Sequence, residues 1–400
     1  MIYDILLQGF HWDSHNVQGK SWYQIIEENA DRIKKSGFTI VWFPPPSDSV
    51  DRQGYIPREL NKLESNYGNE VELKDSIANL SPIKAIADIV INHRAGKFRE
   101  EDFKNPDWDP AETVVKNDEG SGPESFTPDT GDGVHFARDL NHKSSIVSLG
   151  IKDWMNSLKQ RVGFVGWRYD LVKGYAPWAN ELYNGETKPT FSVGEYLSNN
   201  VVEVIDWIDH THPNPAFRST AFDFPLRNAL YQAIAWRNFH WLKYIDRAPG
   251  VIGLWSDKAV TFLENHDTEE VRSGTILPWF PGGDQMLQGY AYLLTHPGIP
   301  CVFWRDIYDS GNNKYFEDSI NDLIRIRKEY GIHSESKLFI ATAESGNVYG
   351  AYIQGDRGEL AMKIGPSPWQ PWGSKWNDPM RQLLKSGADF AVWGDKGRFW

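Results

Sequence analysis

One cysteine, five methionines and no long apolar run: the 400-residue chain is bounded first by what it does not contain. Cys301 cannot close an internal disulfide, and no spacing of Cys and His suggests a zinc site, so the redox compartment stays open. No apolar stretch approaches the roughly 18 residues of a membrane span. The opening MIYDILLQGF lacks the charged start and cleavage region of a signal peptide. Two locations remain as expectations, the cytoplasm or the mature form of a secreted protein. A basic surplus is also missing, since 42 Lys and Arg face 54 Asp and Glu, a net charge of −12. Nucleic acid and anionic membranes both require a basic surface, and neither is expected as a partner.

What is plentiful is tryptophan, 18 residues within a 14% aromatic share. Trp buries large area in cores, and its flat face also suits the apolar C–H faces of sugar rings. With 40% hydrophobic residues, the chain has material for one large domain and something smaller.

Short β-branched or aromatic runs alternate with segments of helical period, the pattern of βα units around a parallel sheet. Strands are predicted at 5–10, 39–43, 84–91, 164–169, 191–194, 221–224, 259–263 and 299–303. Between them, spacings such as Ile151, Trp154, Met155, Leu158, Val162 and later Ile320, Leu323, Ile324, Arg327 give one-sided helices. Eight strands with intervening helices predict an α/β fold, a closed (β/α)8 TIM barrel. Two regions break the rhythm. Residues 94–142, rich in Asp, Pro, Gly and Asn, read as a long irregular excursion after the third strand. From about Lys337, short alternating strands separated by Gly, Asp and Ser predict a C-terminal antiparallel β-sheet domain. The Pro- and Trp-rich 366–379 is expected to be a loop within it; Trp369, Trp372, Trp376 and Trp393 either pack in its core, the expected arrangement, or form a secondary sugar-binding surface.

Strands of a parallel barrel should be nearly continuous apolar runs, so polar residues at their ends are informative. IADIVINHR ends in Asn92 and His93, GWRYD in Arg168 and Asp170, SVGEY in Glu195, and FLENHDT in His266 and Asp267. All four are carboxyl ends, where barrel enzymes build their sites. A strand-end Asp often only caps the next helix, but four such ends together leave that explanation little room. Residues i and i+2 of a strand share a side, so Arg168 should sit beside Asp170 and keep it ionised. Glu195, one strand on, should have its pKa raised by neighbouring negative charge and serve as an acid. One ionised and one protonated carboxyl are what glycosidic bond cleavage requires, with retention when they stand about 5 Å apart.

Together the motifs resemble the α-amylase family of glycoside hydrolases, most closely its plant-type members. QGFHWDS, VWFPPPSDSVDRQGYIP, KAIADIVINHR, GFVGWRYDLVKGYAP, AVTFLENHDT, GYAYLLTHPGIPCVFW and GIHSESKL fall in family order from end to end. The resemblance implies endo-hydrolysis of α-1,4-glucans (starch, glycogen, maltooligosaccharides) by a retaining route in a monomer. Asp170 matches the nucleophile, Glu195 the acid/base and Asp267 the third carboxylate. Arg168, His93 and His266 match residues bonding the nucleophile or the sugar, Tyr55 the aromatic platform beneath that sugar, and Lys173 a contact on the leaving-group side. The excursion matches the family's domain B, which with the barrel holds a structural calcium. Asn92 and Asp139 match side-chain ligands of that ion, Gly174 a carbonyl donor, and Asp129 a further calcium-binding position. The domains implied are a catalytic barrel at 1–93 and 143–335, domain B at 94–142 and the C-terminal sheet at 336–400.

Departures from the family text are a short NLSPIKAIAD, with the second helix ending at Ser81-Pro82, a trimmed domain B, Tyr196 after the acid, and WRDIYDS after the eighth strand. Transfer to a sugar acceptor, or action on short maltooligosaccharides, is a rival within the same fold. A non-catalytic carbohydrate-binding barrel is a second, opposed by the presence of all three carboxylates.

Overall fold

The structure, a computed structural model, describes residues 1–97, 102–116, 127–128, 131, 137–268, 278–309, 314–344, 347–376, 378 and 382–396. Eight parallel strands close a barrel in chain order: β1 (Leu6–Gln8), β2 (Ile40–Phe43), β3 (Lys84–Ile89), β4 (Gly166–Tyr169), β5 (Phe191–Gly194), β6 (Thr220–Phe222), β7 (Ala259–Thr261) and β8 (Ile299–Phe303). Closure pairs Leu6 with Cys301 and Gln8 with Phe303. Strands such as β2 (IVWF) and β8 (IPCVF) are buried along their whole length, because helices cover the outside and side chains fill the inside.

The eight strands stand where the sequence predicts them, most with shorter ends. One end differs in kind, because Phe224 opens the helix Phe224–Ala235 instead of closing β6. Asp223 is the reason. Its Oδ1 accepts from Leu226 N (3.0 Å) and Val251 N (3.0 Å) and its Oδ2 from Ile252 N (2.8 Å), so the chain turns there into a capped helix. Likewise Asn69 caps the helix Glu70–Leu80, which ends at Ser81 immediately before Pro82, as expected.

After β3 the excursion leaves and returns on one antiparallel pair, His93 opposite Asp139 and Arg94 opposite Arg138. The buried Arg94 guanidinium lies 4.7 Å from the Trp108 ring and 5.1 Å from that of Phe103 within the excursion, and its Nε donates to Arg58 O (3.1 Å), tying the excursion to the segment after β2.

The C-terminal strands β9 (Lys337–Glu344), β10 (Val348–Gly355), β11 (Gly358–Ile364), β12 (Leu383–Gly387) and β13 (Phe390–Asp395) form an antiparallel sheet in the order β9-β10-β11-β13-β12. It joins the barrel through Gln288, which accepts from Gly365 N (3.1 Å), and His296, whose Nε2 lies 2.8 Å from the Tyr349 hydroxyl. Trp376 and Trp393 are buried and Trp369 packs on Trp393 at 5.9 Å, but Trp372 is 71% exposed, against the expectation that all four are core. The sheet holds the Trp372 backbone instead, its N–H donating to the Tyr352 hydroxyl (2.8 Å), while the Tyr352 ring packs on Trp369 and Trp376.

Candidate active site

Arg168 on β4 is wholly buried, and three carboxylates surround it. Its Nη1 lies 2.7 Å from Asp170 Oδ1 and 2.7 Å from Asp88 Oδ1, and its Nη2 lies 2.7 Å from Glu195 Oε2. The backbone dictates this. Arg168 and Asp170 are two apart and share a side, Asp88 is the register partner of Arg168 on β3, and Glu195 follows β5 with its amide on Tyr169 O (2.9 Å). Just past Asp170 the chain turns through Leu171 in the left-handed region (φ 42°), which aims the Leu171 N–H at Glu195 Oε2 (3.1 Å).

Around this centre, the other predicted residues converge. Tyr55 OH donates to Asp88 Oδ2 (3.0 Å), beside Trp42 Nε1 (3.1 Å), and the Tyr55 ring stacks on His266 at 5.0 Å and 9°. His93 Nε2 lies 2.7 Å from Tyr55 O. Gln8 Nε2 donates to His266 Nδ1 (2.9 Å), which leaves the ring proton on Nε2, 3.4 Å from Asp267 Oδ2. Lys173 Nζ stands 5.6 Å from the centre of the Tyr196 ring, which in turn packs at 6.3 Å on Trp207. The family departure at 196 therefore provides an aromatic face beneath this cation.

Electrostatically, three acids share one guanidinium. Burial works against the charge of Arg168, yet Asp88, Glu195 and Asp170 together raise its pKa well above the ordinary value. Burial pushes Glu195 up to about 8, opposed by Arg168 and reinforced by Asp170 and Asp267. Burial likewise lifts Asp170 to about 7, opposed by Arg168 and reinforced by Asp88 and Asp267. The expectation that Arg168 simply holds Asp170 ionised needs correcting, because desolvation outweighs a guanidinium divided among three acids. For Glu195 the expected direction holds, with burial rather than neighbouring charge as the leading cause.

A match to the model of the alpha-amylase C-terminal beta-sheet domain covers residues 329–394. The probable alpha-amylase 2 of Arabidopsis thaliana is 35% identical over 98% of this chain and 94% of its own length. The chain belongs to the α-amylase family of glycoside hydrolases. A second Arabidopsis thaliana relative, the chloroplastic alpha-amylase 3, is 34% identical over 98% of this chain, which spans 44% of that protein. The solved alpha-amylase of Geobacillus thermoleovorans, complexed with acarbose, shares the fold at a TM-score of 0.74, with 16% identity and 99% of each chain covered.

On this α-amylase barrel the residues matched to calcium ligands also meet. Asn92 Nδ2 donates to Asp139 Oδ1 (3.2 Å), and Asn92 Oδ1 is buried with no hydrogen-bond partner among the described residues. Gly174 lies so close that a Cβ there would fall 2.0 Å from Asn92 Oδ1, and a Cβ at Gly131 would fall 2.3 Å from Lys173 O. Asp129 lies outside the described residues. The residue that sequence reasoning passed over is Asp88. Its signal was present, an acid in the middle of the apolar run IADIVI, but its meaning depends on the β3–β4 register.

Proposed function

We propose that this chain is an α-amylase that cleaves internal α-1,4 bonds of starch, glycogen and maltooligosaccharides with retention of configuration. The observation that carries the reading is the placement of Asp170 and Glu195 on the two terminal nitrogens of one buried guanidinium, where burial raises the pKa of both acids. Retaining enzymes keep their carboxyls about 5–5.5 Å apart, a spacing that a shared guanidinium favours.

In the first step the Asp170 carboxylate attacks the anomeric carbon while the bond to the leaving oxygen breaks, and that oxygen takes the Glu195 proton. A glycosyl ester on Asp170 results. In the second step the Glu195 carboxylate takes a proton from water, whose oxygen attacks the same carbon and frees Asp170. Asp267, beside His266, faces the positive charge that develops on the sugar ring and bonds its hydroxyls. His93 and His266 hold the sugar, Tyr55 underlies it, and Lys173 over Tyr196 meets the leaving chain.

The chain's residues fit a structural calcium. Asn92, Asp139 and the Gly174 carbonyl would hold it, with Asp129 as a further ligand, and the buried unpartnered amide oxygen of Asn92 supports this, since calcium takes oxygen donors. Such an ion supplies no chemistry to the bond cleavage; bound here, it ties the excursion to the loop after β4. The same reading divides the chain into a barrel (1–93 and 143–335), a domain B (94–142) and a sheet domain (336–400), supported by the antiparallel pair that closes the excursion. It acts as a monomer, for which a solution mass near 45.8 kDa is the expected measurement.

The deciding experiment is reducing-end release from soluble starch with calcium present, by wild type and Asp170→Asn. Loss of the nucleophile should lower kcat by about three orders of magnitude or more in a protein with an unchanged circular dichroism spectrum. A variant with wild-type activity would remove Asp170 from the mechanism.

A further inference from the structure

Three residues before Asp267 stands a second buried acid that the mechanism above does not use. Glu264 follows β7 and, like Arg227, is closed off from solvent. Arg227, on the helix Phe224–Ala235, donates from Nη2 to Glu264 Oε1 (2.8 Å) and to Pro278 O (2.6 Å), and from Nε to Leu263 O (2.9 Å). Glu264 Oε1 also accepts from Phe280 N, and Oε2 accepts from the Thr268 hydroxyl. That hydroxyl accepts in turn from Asn265 N (2.9 Å), while Asn265 Oδ1 takes the N–H groups of Asp267 (2.9 Å) and Thr268 (3.0 Å).

The bonds among Glu264, Asn265, Asp267 and Thr268 restrain the short turn that carries Asp267, and those from Arg227 and Phe280 fix Glu264 at its start. Three donors, from Arg227, Phe280 and Thr268, hold the Glu264 carboxyl group; burial raises its pKa, opposed first by the Arg227 charge and then by these bonds. A turn needing only stability could be packed with apolar groups, whereas a buried ion pair with directional bonds fixes one orientation. We propose that Glu264, held by Arg227, is a positioning residue for the reaction: through the Thr268 hydroxyl it sets the orientation of Asp267 toward Asp170 and Glu195. This rests on the proposed glycosidase reading and adds to it a relay from the β6 side of the barrel to the third carboxylate.

Two nearly isosteric variants test the relay. In Glu264→Gln one oxygen becomes an amide nitrogen, which cannot accept the Thr268 proton. In Thr268→Val the hydroxyl is gone and the shape is kept, whereas Thr268→Ser restores the hydroxyl. Displacing a transition-state group by about 1 Å is enough for about a hundredfold loss. Glu264→Gln and Thr268→Val should therefore each lower kcat by roughly ten- to a hundredfold, with KM within about threefold of wild type and Thr268→Ser within about threefold in both.

A second readout separates positioning from simple destabilisation. Glu195 faces Arg168, Asp170, Asp267 and the Leu171 amide, and the negative charge of Asp267 helps keep its proton. Moving Asp267 away lets that proton leave sooner, so the alkaline limb of kcat/KM should shift to lower pH, toward that of Asp267→Asn. All assays are run well below each variant's melting temperature. Variants that melt earlier but keep wild-type kcat and an unmoved alkaline limb would overturn the proposal, as would equal losses in Thr268→Val and Thr268→Ser. A wild type that releases no reducing ends would instead overturn the glycosidase reading, and the relay with it.

Discussion

Arg168 and Arg327 are both withdrawn from water, one at the catalytic rim of the barrel and the other where the barrel meets the C-terminal sheet. Arg168 faces three carboxylates, which raise its pKa. Arg327, on the helix Lys314–Tyr330, donates to backbone carbonyls, from Nη1 to His296 O (2.6 Å) and from Nη2 to Gly298 O (2.8 Å), and burial lowers its pKa to about 9. Among the described residues no carboxylate pairs with it. The same side chain at the same burial thus does two different jobs. Around Arg327 the polar demand of a turn is met by one cation and nothing is left to react. Around Arg168 the acids outnumber the cation, and burial, reinforced by that surplus of negative charge, raises the pKa of all three.

The widest separation between the two regions should come from removing each guanidinium. Arg168→Met leaves Asp88, Asp170 and Glu195 buried without a counterion, a loss of about 3–5 kcal/mol, and should lower kcat/KM by at least about a hundredfold. Arg327→Met leaves carbonyls without their donor, about 1–3 kcal/mol, with kcat unchanged wherever the protein is folded. Chemical denaturation with initial rates on starch measures both. Equal damage to kcat by the two substitutions would erase the distinction.

How far the sequence could be read follows the same division. The barrel was legible because buried parallel strands are near-continuous apolar runs, and the sites because polar residues end four of them. Asp170 with Arg168 was legible from a spacing of two. Asp88 was not, since its partnership with Arg168 is a matter of strand register. Nor was Arg327, whose spacing places it on the apolar face of its helix, because its partners are carbonyls that carry no residue identity. The height of the Asp170 and Glu195 pKa values was hidden too, because desolvation is a property of the folded rim. Phe224 illustrates the local limit: the apolar text AFDF runs on, but the Asp223 side chain ends the strand.

Calcium removal offers a smaller test of the same contrast, because the proposed ligands Asn92, Asp139 and Gly174 belong to the Arg168 side. Excess chelator should lower the melting temperature, by the equivalent of about 2–3 kcal/mol if calcium stood at 100 times its Kd. Amide exchange should then speed up at Asn92, Asp139 and Gly174 while the amides of Leu294, Thr295, His296 and Gly298 beneath Arg327 stay protected. Gly174→Ala, whose Cβ would fall 2.0 Å from Asn92 Oδ1, should lower the melting temperature and shrink the chelator effect. Uniform loss of protection on both sides would mean that the ion acts on the whole fold.

The finest test is one of pH. Glu195 has a folded pKa of about 8, raised above the value it takes in an unfolded chain. Below that unfolded value the acid is neutral in both states and costs no stability. As pH rises, the unfolded chain releases the proton first, so the folded state loses stability progressively until its own pKa is passed. Glu195→Gln cannot ionise and escapes this loss. It should therefore melt close to wild type near pH 5 and above it by pH 8, on the order of 2–4 °C for each kcal/mol relieved, with the gain levelling off at higher pH even though activity is abolished. Arg327 gives the control: its folded pKa of about 9 lies below the unfolded one, both states stay charged from pH 5 to 8, and the Arg327→Met deficit should be flat across that range. A flat Glu195→Gln difference would mean that Arg168 compensates all three acids, and that no surplus of charge sets the catalytic rim apart from the structural one.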